Sequence, residues 1–153
     1  MKILVVSDSF KGSMTSKEVG MTICDYYQNH HLEATYLPIS DGGEGFLDAI
    51  NDSFQLEKQQ MQVEDANFNY TESAYIIDQK NKIAYLELAQ SIGLAKLDKN
   101  KLNALYASSF GFGHLIKEII LKYQIKKIII GIGLYIERKG IVDFVERAKR
   151  MTD

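Results

Sequence analysis

The chain has 153 residues, enough for one domain with a sizeable core and too few for two ordinary ones. Its hydrophobic content of 46% and charged content of 25% are those of a soluble globular protein. A formal charge of −2, with no basic stripe interleaved with aromatics, argues against a nucleic-acid partner.

Residues 3–6 form a continuous apolar run, as in a strand covered on both faces in a parallel sheet. The segment turns polar at Ser7, too soon for a signal peptide. No run approaches the ~20 apolar residues of a membrane span, so no membrane partner and a cytoplasmic location are expected. After a loop at 7–14, Thr15 and Glu18 fit a capping box that opens a helix ending near Asn29 and His30. Cys24 falls in the apolar pattern of that helix and reads as a small core residue. As a single cysteine it excludes an internal disulfide and a cysteine-built zinc site. His30 and His31 sit where they can meet the last helical carbonyls.

A second strand is predicted over 33–39, followed by a helix opened by residues 41–44 and carrying Phe46, Leu47 and Ile50 on its apolar side. Residues 62–68, 72–78 and 82–88 then read as a meander of antiparallel strands, with a polar turn at 79–82. A short helical turn at 89–93 ends in glycine, and Ser108 or Ser109 caps a helix running to about Tyr123. Residues 125–132 form another buried strand, which needs neighbours that the chain offers sparingly. Beyond Gly133, residues 141–151 carry an amphipathic helical pattern with an alternating-charge face.

The two polar, glycine-bearing loops Asp8-Ser9-Phe10-Lys11-Gly12-Ser13 and Ser40-Asp41-Gly42-Gly43-Glu44-Gly45 both follow predicted strands. Ligand crevices of αβ sheets lie at the carboxyl ends of strands, so the pair suggests one site for a polar, phosphorylated ligand. Glycine lets backbone approach a ligand, while Asp41 and Glu44 are able to hold a cation or accept a proton. Gly42 and Gly43 leave amides at a helix N-terminus for an anion, or simply make a tight turn. Gly111-Phe112-Gly113 lacks the third glycine of a dinucleotide fingerprint, since position 116 is Ile116, and His114 has no evident metal partner.

The residue 3–13 segment and Pro38-Ile39-Ser40-Asp41-Gly42-Gly43-Glu44-Gly45 resemble the first two loops of the glycerate kinase family, which phosphorylates D-glycerate with ATP. Glu87-Leu88-Ala89-Gln90-Ser91-Ile92-Gly93-Leu94 and Ser109-Phe110-Gly111-Phe112-Gly113-His114-Leu115-Ile116 are similar to later family segments. The resemblance covers residues 1 to about 133. It implies an α/β fold in which 1–60 begins a flavodoxin- or Rossmann-like parallel-sheet lobe and 61–133 forms part of a second αβ lobe. Residues 134–153, from Leu134-Tyr135-Ile136-Glu137-Arg138 onward, depart from the family pattern as a divergent helical tail. The expectation is of an N-terminal portion, truncated relative to the family, as a frameshifted or prematurely ended gene would give.

By the same resemblance the partner is the small molecule D-glycerate, with ATP and Mg²⁺ as cofactors. Asp8 and Asp41 are candidates for holding the cation and accepting the hydroxyl proton, in either order. Lys11 would set a positive charge against a phosphate or the glycerate carboxylate. Ser9, Ser13, Ser40, Gly42 and Gly43 would bind substrate, and Glu44 would cap its helix or help hold the metal. Alternatives are a non-catalytic module that binds small acids, one half of a split kinase that pairs with a C-terminal fragment, and a hydrolase or phosphatase using the paired Asp loops. If residues 128–130 lack flanking strands, their exposed apolar surface favours self-association.

Overall fold

A computed structural model describes residues 1–10, 13–93, 96–98, 103 and 105–133. The family resemblance implied a mixed α/β architecture with parallel-sheet elements, and that is what the described residues form. They divide between a parallel two-stranded sheet and a four-stranded mixed sheet. The predicted 134–153 tail, along with Lys11 and Gly12, lies outside the described residues.

β1 (Lys2–Val5) and β2 (Glu33–Tyr36) pair in parallel, with Ile3 opposite Ala34 and Val5 opposite Tyr36. The crossover between them is α1 (Ser16–Asn29). Its first turn is fixed by the predicted capping box: the Glu18 amide donates to Thr15 Oγ1 at 3.2 Å, and Glu18 Oε2 accepts from the Thr15 amide at 2.8 Å. That amide, followed by the Thr15 hydroxyl, holds the Glu18 carboxyl below its ordinary range. At the other end His30 Nδ1 meets the Tyr26 carbonyl at 2.8 Å. Strand alternation turns Val5 and Ala34 toward α1, where they bury Cys24 with Ile3, Tyr27 and Tyr36 around it. The opposite face of the pair leaves Leu4, Val6 and Leu37 exposed among the described residues.

α2 (Phe46–Phe54) follows, then β3 (Lys58–Glu64), β4 (Tyr70–Asp78) and β5 (Ile83–Glu87), an antiparallel meander in the order β3-β4-β5. β3 begins four residues earlier than its apolar pattern suggests, because Lys58 and Gln59–Met61 pair with the apolar half of β4. α3 (Ala89–Ile92) and α4 (Phe110–Tyr123) make the crossover to β6 (Lys127–Gly131), which lies parallel to β5 at the sheet edge.

Period-two alternation gives this sheet two apolar faces. Val63, Tyr75, Ile77, Ala84 and Leu86 pack under Phe112, Leu115, Ile116 and Ile119 of α4. Ala74, Ile76 and Tyr85 pack under Leu47 of α2, with Phe46 and Ile50 alongside. The β6 isoleucines split between these faces: Ile128 and Ile130 meet the α4 cluster and Ile129 the α2 cluster. Among the described residues, one flanking strand and two helix layers leave them half-buried.

Gly111 has a packing role. A Cβ there would lie 1.8 Å from the carbonyl oxygen of Glu64, so α4 meets the end of β3 at backbone distance. Gly111→Ala is therefore expected to destabilise the fold by about 1–3 kcal/mol, read from the midpoint of a urea melt. An unchanged midpoint would contradict this close approach.

Candidate functional site

Because β1 and β2 are parallel neighbours in register, the loops that follow them leave from the same end of the pair. The first is tied down by serines. Ser7 Oγ donates to the Ser16 carbonyl at 3.2 Å and Ser16 Oγ returns a bond to the Ser7 carbonyl at 2.6 Å. Tyr36 OH lies 2.7 Å from Ser16 Oγ, joining this knot to β2. The Phe10 and Met14 backbones exchange bonds at 2.8 and 3.1 Å. Asp8 is exposed, and its Oδ1 accepts from the Ser9 amide at 2.7 Å.

The second loop is held by its own side chains. Ser40 Oγ accepts from the Gly42 amide at 3.1 Å, and Asp41 Oδ1 accepts from the Gly43 amide at 2.7 Å. The Gly42 and Gly43 amides are thus engaged within the loop, where the sequence suggested that they stand open for an anion. Gly42 has φ of +90°. The loop rests on the end of β6: a Cβ on Gly131 would stand 2.6 Å from the Gly42 carbonyl oxygen, and one on Gly133 would stand 2.7 Å from Gly43 Cα. Side chains are excluded from the β6 side of this contact, and the loop side is tight, with a Cβ on Gly42 standing 3.3 Å from the Ile132 amide nitrogen.

The first turn of α2 takes its cap from the four-stranded sheet. Glu87, the last residue of β5, has no solvent exposure. Its Oε2 accepts from the Leu47 amide at 3.0 Å, and its Oε1 accepts from the Gly45 amide at 3.4 Å and from Gln90 Nε2 at 3.2 Å. Burial raises the Glu87 carboxyl above the ordinary range, against the opposing pull of the Leu47 amide, Gln90 and the Gly45 amide. The Asp48 charge on α2 adds to the rise.

Between the loops opens a cleft of about 690 Å³. Asp8, Ser9 and Ser13 line it from the first loop, Glu44 and Gly45 from the second, and Gln90 from α3. Asp48 and Asp52 of α2 line it as well, ion-paired with Lys58 and Lys17. The hydrogen bond from Lys17 Nζ to Asp52, followed by the Asp52 charge, raises the Lys17 amine above its usual value. Of the sequence-predicted residues, the structure brings together Asp8, Ser9, Ser13 and Glu44. Ser40, Asp41, Gly42 and Gly43 are not among the lining residues and serve the backbone of the second loop. Lys11 lies outside the described residues.

Among the described residues no group of three or more His, Cys, Asp or Glu side chains is arranged to cage a metal ion. His114 lies 3.3 Å from Glu64 and 3.9 Å from Glu118. No helix among the described residues is long and apolar enough to cross a membrane.

Glu87 stands outside the two loops that mark the site in the sequence, although its position carries a signal. Ile83, Tyr85 and Glu87 share one face of β5, so a carboxylate occupies an apolar-facing position beneath α2.

A mixed αβ fold with two acid-bearing loops at the carboxyl end of a parallel strand pair has the layout of αβ proteins whose ligand crevices lie beyond the strand ends. A model of the glycerate kinase family matches residues 3–134, and the chain belongs to that family. It is 37% identical to a glycerate kinase of Neisseria meningitidis serogroup B over 87% of this chain and 36% of that protein. It is 31% identical to glycerate 2-kinase of Escherichia coli K12 over 87% of this chain and 35% of that one. A crystal structure assigned as glycerate kinase 2 from Salmonella typhimurium LT2 superposes with a TM-score of 0.70 at 28% identity. That match covers 87% of this chain and 36% of that one. The chain thus spans about a third of the length of the relatives it matches.

The elevated Glu87 carboxyl has a consequence for stability. The native state holds that proton more tightly than the unfolded chain does, so stability from this group falls as pH rises from the ordinary carboxylate range through the raised native value. The difference in unfolding free energy between wild type and Glu87→Gln, from urea melts between about pH 4 and pH 8, should move against the wild type as pH rises. A flat difference would mean that the amide donors balance burial, and one moving toward the wild type that they outweigh it.

Proposed function

We propose that this chain supplies the acid-binding part of an ATP-dependent D-glycerate kinase. Phosphoryl transfer to an alcohol needs a positioned hydroxyl, an acceptor for its proton and neutralisation of phosphate charge. In this reading Ser9 and Ser13 donate to the glycerate carboxylate, and Asp8 accepts the proton of the hydroxyl that is phosphorylated. Asp41 and Ser40 set the second loop through the Gly43 and Gly42 amides, which keeps Glu44 on the cleft. Lys11 keeps the role that the family resemblance gives it.

Mg²⁺ is usually bound by one or two carboxylates together with phosphate oxygens, without an all-protein cage, and Glu44 on the cleft fits that pattern while Asp8 is left to take the proton. When bound, it supplies neutralisation of the phosphate charge. Recognition of the nucleotide is assigned in this reading to the part of the relatives that this chain does not match. The observation that carries the reading is the convergence of Asp8, Ser9, Ser13 and Glu44 on one cleft from the same end of two parallel strands.

Calorimetric titration of the chain with D-glycerate is expected to show saturable binding, weakened about tenfold or more by Ser13→Ala through loss of a charge-assisted hydrogen bond. ADP release from ATP should stay near background for the chain alone and rise when the remaining two thirds of a relative is added. Absence of glycerate binding would overturn the reading, and brisk turnover by the chain alone would overturn this division of labour. Release of phosphate from sugar phosphates without ATP would point to a hydrolase instead.

A further inference from the structure

We propose that Glu87 is a positioning residue for the candidate site: from the end of β5 it fixes the first turn of α2, and with it the residue 40–45 loop, against the cleft. The importance of that loop rests on the proposed function; its attachment to Glu87 rests on geometry alone. The residue that caps the start of α2 is Gly45, whose left-handed backbone brings no side-chain cap of its own. The cap comes from Glu87, 42 residues away in sequence, through the Gly45 and Leu47 amides. The third donor to the same carboxylate, Gln90, lines the cleft beside Glu44 and Gly45.

Glu87 also pairs in register with Gly131, the residue whose missing side chain admits the Gly42 carbonyl and the Phe46 ring. The loop is therefore clamped from the β5 end by a carboxylate and from the β6 end by backbone contact. A fully buried carboxylate is costly unless hydrogen-bonded, and an apolar residue would fill the same volume more cheaply. What an apolar residue lacks is an acceptor for two amides at a helix start, where negative charge is favoured. Glu44 sits immediately before that start, so a shift of the first turn moves a cleft carboxylate directly.

The test compares the full chain with Glu87→Gln, which keeps the volume but can accept with only one oxygen, and with Gln90→Ala. Amide hydrogen exchange at residues 42–47 should quicken about tenfold in Glu87→Gln while β3 and β4 amides keep their wild-type rates. Unchanged exchange in the loop would overturn the proposal. Should Glu87→Gln loosen the whole fold, Gln90→Ala decides: faster exchange confined to 42–47 supports the clamp, and any other pattern sinks it. In parallel, Mg²⁺ affinity by calorimetric titration should fall about tenfold in Glu87→Gln at unchanged far-ultraviolet circular dichroism, since a displaced first turn carries Glu44, the carboxylate assigned to the cation, out of position. Unaltered affinity in that variant would also overturn the proposal. Failure of the wild type to bind D-glycerate would remove the proposed function and leave the exchange result to judge the clamp.

Discussion

The candidate site depends on how a parallel strand pair is joined to a mixed sheet. That junction is made of backbone contact, one buried carboxylate and the Lys17–Asp52 ion pair. Gly42 and Gly43 press so closely on Gly131 and Gly133 that neither of the latter two admits a Cβ, and Glu87 closes the contact by accepting from the first turn of α2. Elsewhere in the molecule apolar side chains supply the adhesion and tolerate small displacements through rotamer changes. Backbone-to-backbone contact has no such slack, so the second loop inherits the rigidity of the four-stranded sheet.

Much of this architecture is written in local pattern. The capping box at Thr15 and Glu18, the end of α1 near Asn29, the second and third meander strands and the short helix closing at Gly93 all follow from spacing and turn residues. Pattern fails where pairing decides. β3 starts at Lys58 because its polar residues find partners along β4, and no periodicity in Lys58–Met61 announces this. The second predicted strand ends at Tyr36, short of Ile39, because β1 stops offering partners at Val5.

The site was legible as two loops and illegible as a set of contacts. Residue type and the strand-loop context marked Asp8, Ser9, Ser13 and Glu44, which line one cleft. The same reasoning could not distinguish a side chain that lines the cleft from one that bonds its own turn beside it, as with Ser40 and Asp41. Both uses demand a short polar side chain before glycine. Glu87 was hidden for another reason: its role arises from a contact 42 residues distant, and only the interruption of an apolar face hints at it.

The two loops also differ in how firmly their supports hold them. The second is anchored to a sheet covered by helices on both faces. The first springs from β1, whose continuous apolar run has the composition of a strand buried on both sides. Among the described residues α1 covers one face of the β1–β2 pair, while Leu4 remains 64% exposed on the other. Two strands and one helix bury little apolar area, and such units are marginal by themselves. The Asp8 loop is held instead by the Ser7, Ser16 and Tyr36 hydroxyls, polar bonds worth about 1 kcal/mol each. Of the two acid-bearing walls of the cleft, the one carrying Asp8 is therefore the softer, and geometry at Asp8 is sensitive to whatever covers Leu4, Val6 and Leu37.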